Sequence, residues 1–380
     1  MSKDPNPLLV VARSGRALAQ SARRGGWHPL VVDAFADVDT RACAQDFRQV
    51  SVDGEVLHAR SLRDAITALT PIAARLGLVY GGALESMPAL LERISARYEI
   101  IGNSADTLRA VKDPNTFFPT LDALKITYPE TRRTATQEML EQGGIWLVKR
   151  AAGGGGTHVR VWDGASRVES GHYLQCYVPG PVMSVLFAAD GARAWMIGYN
   201  TQWTASLASR PFTYGGAVNR AQLTPRQRQT VAAYAEALTR AFGLRGLNSL
   251  DFILNRRRPL VLEINPRPTA TCELYEPDTR DGMLALHVHA CGGELPARAL
   301  RTSKVRAHTI VYAQVPCHIT AAVQWPQWCR DLPVTGAQIA AGEPVCSVYT
   351  EGDDVDFVRQ LSEAQGQLVL SWVEPRPMAA

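Results

Sequence analysis

Two apolar runs joined by a short basic turn constrain this chain more than any other stretch. The first is Gly246-Leu247-Asn248-Ser249-Leu250-Asp251-Phe252-Ile253-Leu254, the second Pro259-Leu260-Val261-Leu262-Glu263-Ile264-Asn265-Pro266-Arg267-Pro268. Asn255-Arg256-Arg257-Arg258 lies between them, and the pattern predicts an antiparallel hairpin. Side chains alternate faces along a strand, so Glu263 and Asn265 share one. Pairing Asn255 with Pro259 across the turn sets Asp251 opposite Glu263. Like charges directly opposite are destabilising unless neutralised, and an unpaired charge among Leu, Phe, Ile and Val is costly. A divalent cation answers both problems. Hard oxygen donors without His or Cys suit Mg²⁺, which keeps waters and takes further oxygens from substrate phosphates; Mn²⁺ suits the same donors. Arg267, just past the strand, offers a fixed cation to those phosphates.

A second stretch asks for phosphate independently. Ile145-Trp146-Leu147-Val148-Lys149-Arg150 reads as a strand, then Gly153-Gly154-Gly155-Gly156 interrupts it, and Thr157-His158-Val159-Arg160-Val161-Trp162 resumes. Four glycines carry an entropic cost, which close approach of backbone N–H groups to phosphate oxygens justifies. No Gly-Lys-Ser/Thr follows, so this is not a Walker loop. His158 reads as a strand-surface residue or a phosphate contact.

Upstream, Pro7–Ala12 and Pro29–Phe35 are apolar runs around a helical segment, Ala17–Arg24, that stops at Gly25-Gly26. This is a βαβ unit of a parallel sheet, without the Gly-x-Gly-x-x-Gly of dinucleotide folds. Ser14-Gly15 could set a helix N-terminus near an anion. A helix over 61–76 and a strand Leu78-Val79-Tyr80-Gly81-Gly82 follow, with Glu85 at the strand's carboxyl end. Glu85 is either a ligand at that end of the sheet or a helix-start charge. Asn200-Thr201-Gln202-Trp203 and Pro211–Ala217 read as substrate loops dense in aromatics and amides. Thr224-Pro225 caps an amphipathic helix to Phe242 that delivers the chain to the hairpin. Glu273 either binds an amine or caps the helix beyond it, and the closing helix is expected over 355–365.

With 380 residues, 46% hydrophobic and 20% charged, two or three soluble domains are expected. A net charge of +4 gives no reason to expect nucleic acid. Seven cysteines with no Cys-x-x-Cys pair fit reduced thiols. His287 and His289 lack a third ligand and do not form a zinc site. No run approaches the ~18 apolar residues of a membrane span, and no secretory signal is read at the N-terminus. These features predict a cytoplasmic protein.

Taken in order, the motifs resemble the ATP-grasp ligases: Lys112, Lys149 with the glycine flap, the extended Gln175–Val178 stretch, Asp251, then Glu263-x-Asn265-x-Arg267. The stretches Ser14-Gly15-Arg16, Gly102-Asn103 to Lys112, Glu263–Pro268 and Pro344-Val345-Cys346 resemble predicted carboligase-like ATP-grasp proteins of methanogens and methylotrophic bacteria. The resemblance implies an α/β chain: a small parallel pre-ATP-grasp domain (1–110), an ATP-grasp domain (111–292) and a small β-rich C-terminal domain (293–380). It implies that Lys112, Lys149, Gly153, Gly154, Gly155, Gly156, Gln175, Cys176 and Val178 bind ATP, that Asp251, Glu263 and Asn265 hold the metal, and that Asn265 and Arg267 are catalytic. Cys176 stands where most of the family carries a glutamate, so only its backbone is expected at the adenine. The implied activity is ADP-forming carboxylate–amine ligation through an acylphosphate, with ATP and Mg²⁺ as cofactors and one-carbon carrier synthesis (pterin or furan type) as the pathway. Small-molecule carboxylate and amine substrates are implied as partners, with no nucleic acid and no membrane, and a homo-oligomer is left open. A regulatory or scaffold protein on a degenerate grasp fold, or a carboxylase-type enzyme, are the alternatives.

Overall fold

The computed structural model describes residues 6–53, 56–70, 76–136, 139, 141, 143–205 and 207–375. The lead region folds as the βαβ pattern requires. Its five strands are all parallel, in the spatial order Asp46–Gln49, His28–Asp33, Pro7–Val11, Gly77–Tyr80, Glu99–Ile100. Leu9, Val11, Val32, Leu78 and Leu91 are buried between sheet and helices. The order reverses between Pro7–Val11 and Gly77–Tyr80, and the crevice outside two such strand ends is where open α/β sheets gather functional side chains. Arg16 and Glu85 follow those two strands. The helix expected over 61–76 runs Ala59–Leu69, and residues 71–75 lie outside the described ones. At the first helix, the Gly15 N–H donates to Asp33 Oδ2 at 3.0 Å, so the protein's own carboxylate takes the place expected for an external anion.

Two antiparallel sheets form the centre. The smaller has the order Arg160–Val161, Trp146–Arg150, His172–Cys176, Thr131–Arg132. The larger has eight strands: Arg258–Asn265, Arg245–Asn255, Val182–Asp190, Ala194–Thr204, Tyr214–Asn219, Val305–Tyr312, Pro344–Gly352 and Cys329–Arg330. Tyr214–Asn219 bonds directly to Val305–Tyr312, so the β-rich C-terminal stretch continues this sheet across the boundary expected at 292/293. Asn200–Trp203 is strand rather than the expected loop, because all four residues pair with Tyr214–Asn219, and Asn200 and Thr201 also with Val182–Asp190. Pro225–Phe242 is a helix closed by a full capping box between Thr224 and Gln227 and by Gly243 at φ 62°. Its Val231, Ala235 and Leu238 pack on Leu250, Phe252 and Ile264, the core face of the hairpin. The closing helix is longer than expected, Val355–Trp372, and packs on the two C-terminal strands.

Polar joints tie the lead region to the centre. Asn103 accepts the Arg245 N–H (2.8 Å), and its own Nδ2 lies 2.8 Å from Asn248 Oδ1 and 2.9 Å from the Pro266 carbonyl. One buried amide therefore holds both ends of the hairpin. His287 Nδ1 accepts the Leu247 N–H at 2.8 Å, and its Nε2 donates to the Ile101 carbonyl at 2.9 Å. Burial pushes this imidazole down to about 4.

A neutral buried histidine makes stability depend on pH with a definite sign. The unfolded chain takes up the proton near pH 6.5 and the folded one only near 4, so stability is full above 6.5 and falls as pH drops between them. Between pH 7.5 and 5, His287 should cost the wild type about 2 kcal/mol. His287→Gln should be less stable at pH 7.5 but show a shallower decline. Urea midpoints at both pH values test this; identical declines would remove His287 as the titrating group.

Candidate functional site

The hairpin reaches the expected pairing by an unexpected route. Asn255 pairs with Arg258, not Pro259, through the two-residue turn Arg256-Arg257, both residues left-handed at φ 43° and 69°. Left alone, that register would miss the Asp251–Glu263 pair by one residue. A β-bulge restores it: Phe252 faces Val261 and Asp251 faces Glu263, with Leu262 unopposed. Ser249, Asp251 and Ile253 then line a cavity of about 660 Å³ together with Leu262, Glu263, Asn265 and Arg267.

The electrostatics are those of two carboxylates held together out of water. Burial first, and then Glu263, push Asp251 up to about 7, while Ser249, Gln202 and Lys112 pull it back. Ser249 Oγ donates to Asp251 Oδ1 at 3.1 Å, Gln202 Nε2 to the same oxygen at 3.3 Å, and Asn265 Nδ2 to Oδ2 at 3.0 Å. Lys112 Nζ is 3.5 Å from Glu263 Oε2. Among the described residues no three His, Cys, Asp or Glu side chains form a closed cage. Two carboxylates and a carboxamide facing an open cavity fit an oxygen-loving divalent ion that keeps waters and phosphate oxygens.

Arg267 is fixed at three corners. Its Nε donates to Glu85, Nη2 to Asn265 Oδ1 (3.3 Å) and Nη1 to the Pro268 carbonyl (3.3 Å). Glu85 also ion-pairs with Lys112. Glu85 does stand in the first turn of a short helix, Gly82–Glu85, as one of its two readings had it, but its carboxylate is held by these two cations rather than free as a ligand. The Lys112 side chain is 8% exposed, and its ammonium lies between Glu85 and Glu263, outside the residues that line the cavity. A buried ammonium needs its counterions at hand, and two carboxylates supply them. Glu273 is likewise occupied, held by both terminal nitrogens of buried Arg16, which also binds Asp331 at 3.0 and 3.1 Å. Neither role expected of Glu273 is free. Asp39, in the first turn of the short helix Val38–Cys43, joins this cluster and accepts the N–H groups of Asp331 and Leu332, each at 2.9 Å.

At the other end of the cavity, Lys149 Nζ donates to Gln175 Oε1 (3.2 Å), whose Nε2 donates to Thr131 Oγ1 (3.2 Å). Gln175 thus orients Lys149, and both line the cavity with Cys176 and Val178. The Cys176 N–H is committed to the Glu130 carbonyl at 2.8 Å. Of the four glycines only Gly155 and Gly156 line the cavity, at φ 63° and 74°. Gly153 and Gly154 stand outside that lining. A Cβ on Gly153 would lie 2.3 Å from the His158 ring, and one on Gly154 would meet open space. The flap is docked: Tyr214 N–H donates to the Gly155 carbonyl at 2.8 Å, and a Cβ on Gly156 would fall 1.9 Å from the Phe212 carbonyl oxygen.

Sequence reading missed Arg16, Asn103 and Gln202 as members of these networks. The signal for Arg16 was its place just after the first strand, at the reversal of strand order. Asn103 and Gln202 left no local signal, since their partners lie 142 and 49 residues away.

Comparison with known proteins agrees with this geometry. Residues 111–271 match the family model of the ATP-grasp domain. An uncharacterized protein of Methanocaldococcus jannaschii is 22% identical over 277 residues, which are 70% of this chain and 67% of that protein. Biotin carboxylase from Campylobacter jejuni superposes with a TM-score of 0.72 at 16% identity, covering 96% of this chain and 91% of that one. N5-carboxyaminoimidazole ribonucleotide synthetase from Thermotoga maritima gives 0.66 at 15%, covering 95% and 98%. An L-amino acid ligase from Bacillus licheniformis gives 0.68 at 13%, covering 99% and 100%. These likenesses establish a shared fold, and within it residues 111–271 carry an ATP-grasp domain.

Proposed function

We propose that this chain is an ATP- and Mg²⁺-dependent ligase that joins a small carboxylate to an amine through an acylphosphate. The observation that carries the reading is the convergence of Asp251, Glu263, Asn265 and Arg267 on one wall of a cavity whose other end holds Lys149 and the glycine flap. Superfamily members use ATP and Mg²⁺, and a structural neighbour, the biotin carboxylase domain of Hydrogenobacter thermophilus 2-oxoglutarate carboxylase, is complexed with MgADP. Asp251, Glu263 and Asn265 would hold the metal, which when bound neutralises charge on phosphate oxygens. Lys149, oriented by Gln175, meets the phosphates from the flap side. Gly155 and Gly156 allow backbone to approach them. Val178 and the Cys176 carbonyl are the backbone groups offered to the base.

The chemistry then asks little covalent work of the protein. A substrate carboxylate oxygen attacks the γ-phosphorus, the bond to the β-phosphate oxygen breaks, and ADP leaves. The amine nitrogen attacks the acyl carbon, phosphate departs, and the nitrogen loses a proton. Arg267 has one uncommitted N–H on each terminal nitrogen among the described residues, a pair suited to the oxygens of a transferring phosphoryl group.

The carboxylase-type reading gains support from the superposition on biotin carboxylase and the ribonucleotide synthetase, and makes bicarbonate one of the carboxylates to test. Resemblance to proteins of methanogens and methylotrophs is the ground for adding pterin and furan precursors of one-carbon carriers. A regulatory protein would bind nucleotide without turning it over. Phosphate release from ATP and Mg²⁺ across carboxylate–amine pairs, bicarbonate included, separates these readings. Binding with no release for any pair would overturn the ligase.

Two further outcomes are expected. Glu263→Gln keeps shape and removes a charge, so nucleotide turnover should fall by at least ~100-fold with the fold retained. Wild-type turnover in that variant would sink the metal assignment. Gly156→Ala should force the flap off the Phe212 carbonyl. The apparent KM for ATP should rise about tenfold or more, while the melting temperature of the nucleotide-free protein moves by no more than a few degrees. An equal fall in stability would instead make Gly156 a folding residue.

A further inference from the structure

Arg267 enters the cavity from the end of the hairpin, yet the group that fixes its guanidinium comes from the other end of the chain. Glu85 follows the lead-sheet strand Gly77–Tyr80 at the reversal of strand order and is 3% exposed. Its carboxylate is divided between two cations, one oxygen on the Lys112 ammonium and the other on Arg267 Nε. Three residues earlier, Gly82 lies against the guanidinium: a Cβ built there would sit 3.4 Å from Cζ, Nε and Nη2. Asn265 and the Pro268 carbonyl hold the remaining corners, at 3.3 Å each.

These contacts divide the labour among the three nitrogens. A guanidinium is planar, so anchoring Nε on a buried carboxylate fixes the plane and aims the two terminal nitrogens together. Without that anchor the long side chain regains rotamer freedom, and the planar fork as a whole loses its aim. With one oxygen ion-paired to Lys112, the other bonded to Arg267 and the residue 3% exposed, Glu85 does not line the cavity.

We propose that Glu85, backed by Gly82, is a positioning residue that aims the Arg267 fork at the transferring phosphoryl group, so that the lead domain supplies a working part of the active site. The use made of the fork rests on the ligase reading above; the holding of the fork does not.

The experiment separates the two. In side-chain ¹H–¹⁵N spectra of arginine-labelled protein, the Arg267 Nε–H, assigned by its loss in Arg267→Lys, should be protected from exchange. Glu85→Asp, which keeps the charge but retracts it by one methylene, should lower that protection at least tenfold with the melting temperature within a few degrees of wild type. Glu85→Gln should do the same where it folds; should it not fold, Glu85→Asp carries the test. Unchanged protection in Glu85→Asp overturns the proposal, whatever the protein's activity.

Kinetics supply the second arm, using MgATP and the carboxylate–amine pair found active in phosphate release. Glu85→Asp should lower kcat about 100-fold, the cost of a ~1 Å misplacement, with the KM values for ATP and carboxylate within threefold of wild type. In an Arg267→Lys background the same change should cost less than threefold, because the two side chains act as one unit. Full additivity, or a KM for the carboxylate that rises while kcat holds, would make Glu85 a substrate ligand and defeat the positioning role. If no pair releases phosphate, the ligase reading fails and the exchange measurement alone decides whether Glu85 holds the fork.

Discussion

Charge buried away from water has to be matched locally, and that requirement organises this molecule. Glu85, Lys112, Glu263, Asp251 and Arg267 form a connected chain that reaches the cavity at Glu263, Asp251 and Arg267. Three carboxylates against two cations leave one negative charge, concentrated where Asp251 faces Glu263 across the hairpin. Burial, and then the facing Glu263, push Asp251 upward, and Lys112 offsets them only in part. The divalent cation proposed for the site would offset that charge, and the strand register beneath makes the pairing a fixed feature.

A second buried cluster follows the same rule without facing the cavity. Arg16 is 2% exposed and holds Glu273 and Asp331, which stand in the turn after the hairpin and beside the last strand of the large sheet. Asp331 is held well below the usual carboxylate range, against the pull of burial, by the Arg16 guanidinium. Arg16 and Glu85 leave the lead sheet at neighbouring strand ends, so that sheet grips the centre through one cation and one anion. Removing one partner of a buried pair leaves a charge stranded, typically at 3–5 kcal/mol. The two clusters therefore hold the lead region in a definite orientation over the hairpin, which Asn103 and His287 reinforce with neutral hydrogen bonds.

The hairpin shows what sequence could and could not reveal. Alternation along two apolar runs was enough to bring Asp251, Glu263 and Asn265 to one face, because that inference needs only the period of a strand. The turn was misjudged by one residue, since a left-handed pair is normally signalled by Asn-Gly or Asp-Gly, and here Arg256-Arg257 adopts it. Leu262 gave no hint that it would bulge, yet without the bulge the carboxylates would not meet. The glycine run was legible as a loop, but not its division of labour, because Gly153 answers to His158 nearby and Gly156 to Phe212 far along the chain.

Long-range pairing is where local reading fails most instructively. Lys112 and Glu85 are each ambiguous alone, a lysine before Asp-Pro and a glutamate at a helix start. Folding brings Glu85 against Arg267 across 182 residues and Lys112 against Glu263 across 151. No periodicity or capping rule spans such distances, so an ion pair of this kind emerges only when the two sheets meet. The same separation gives the arrangement its consequence. A residue held by a distant segment keeps its aim only while both segments stay docked. The geometry of Arg267 is thus a property of the assembled lead sheet and hairpin, and not of the Glu-x-Asn-x-Arg stretch that first drew attention to it.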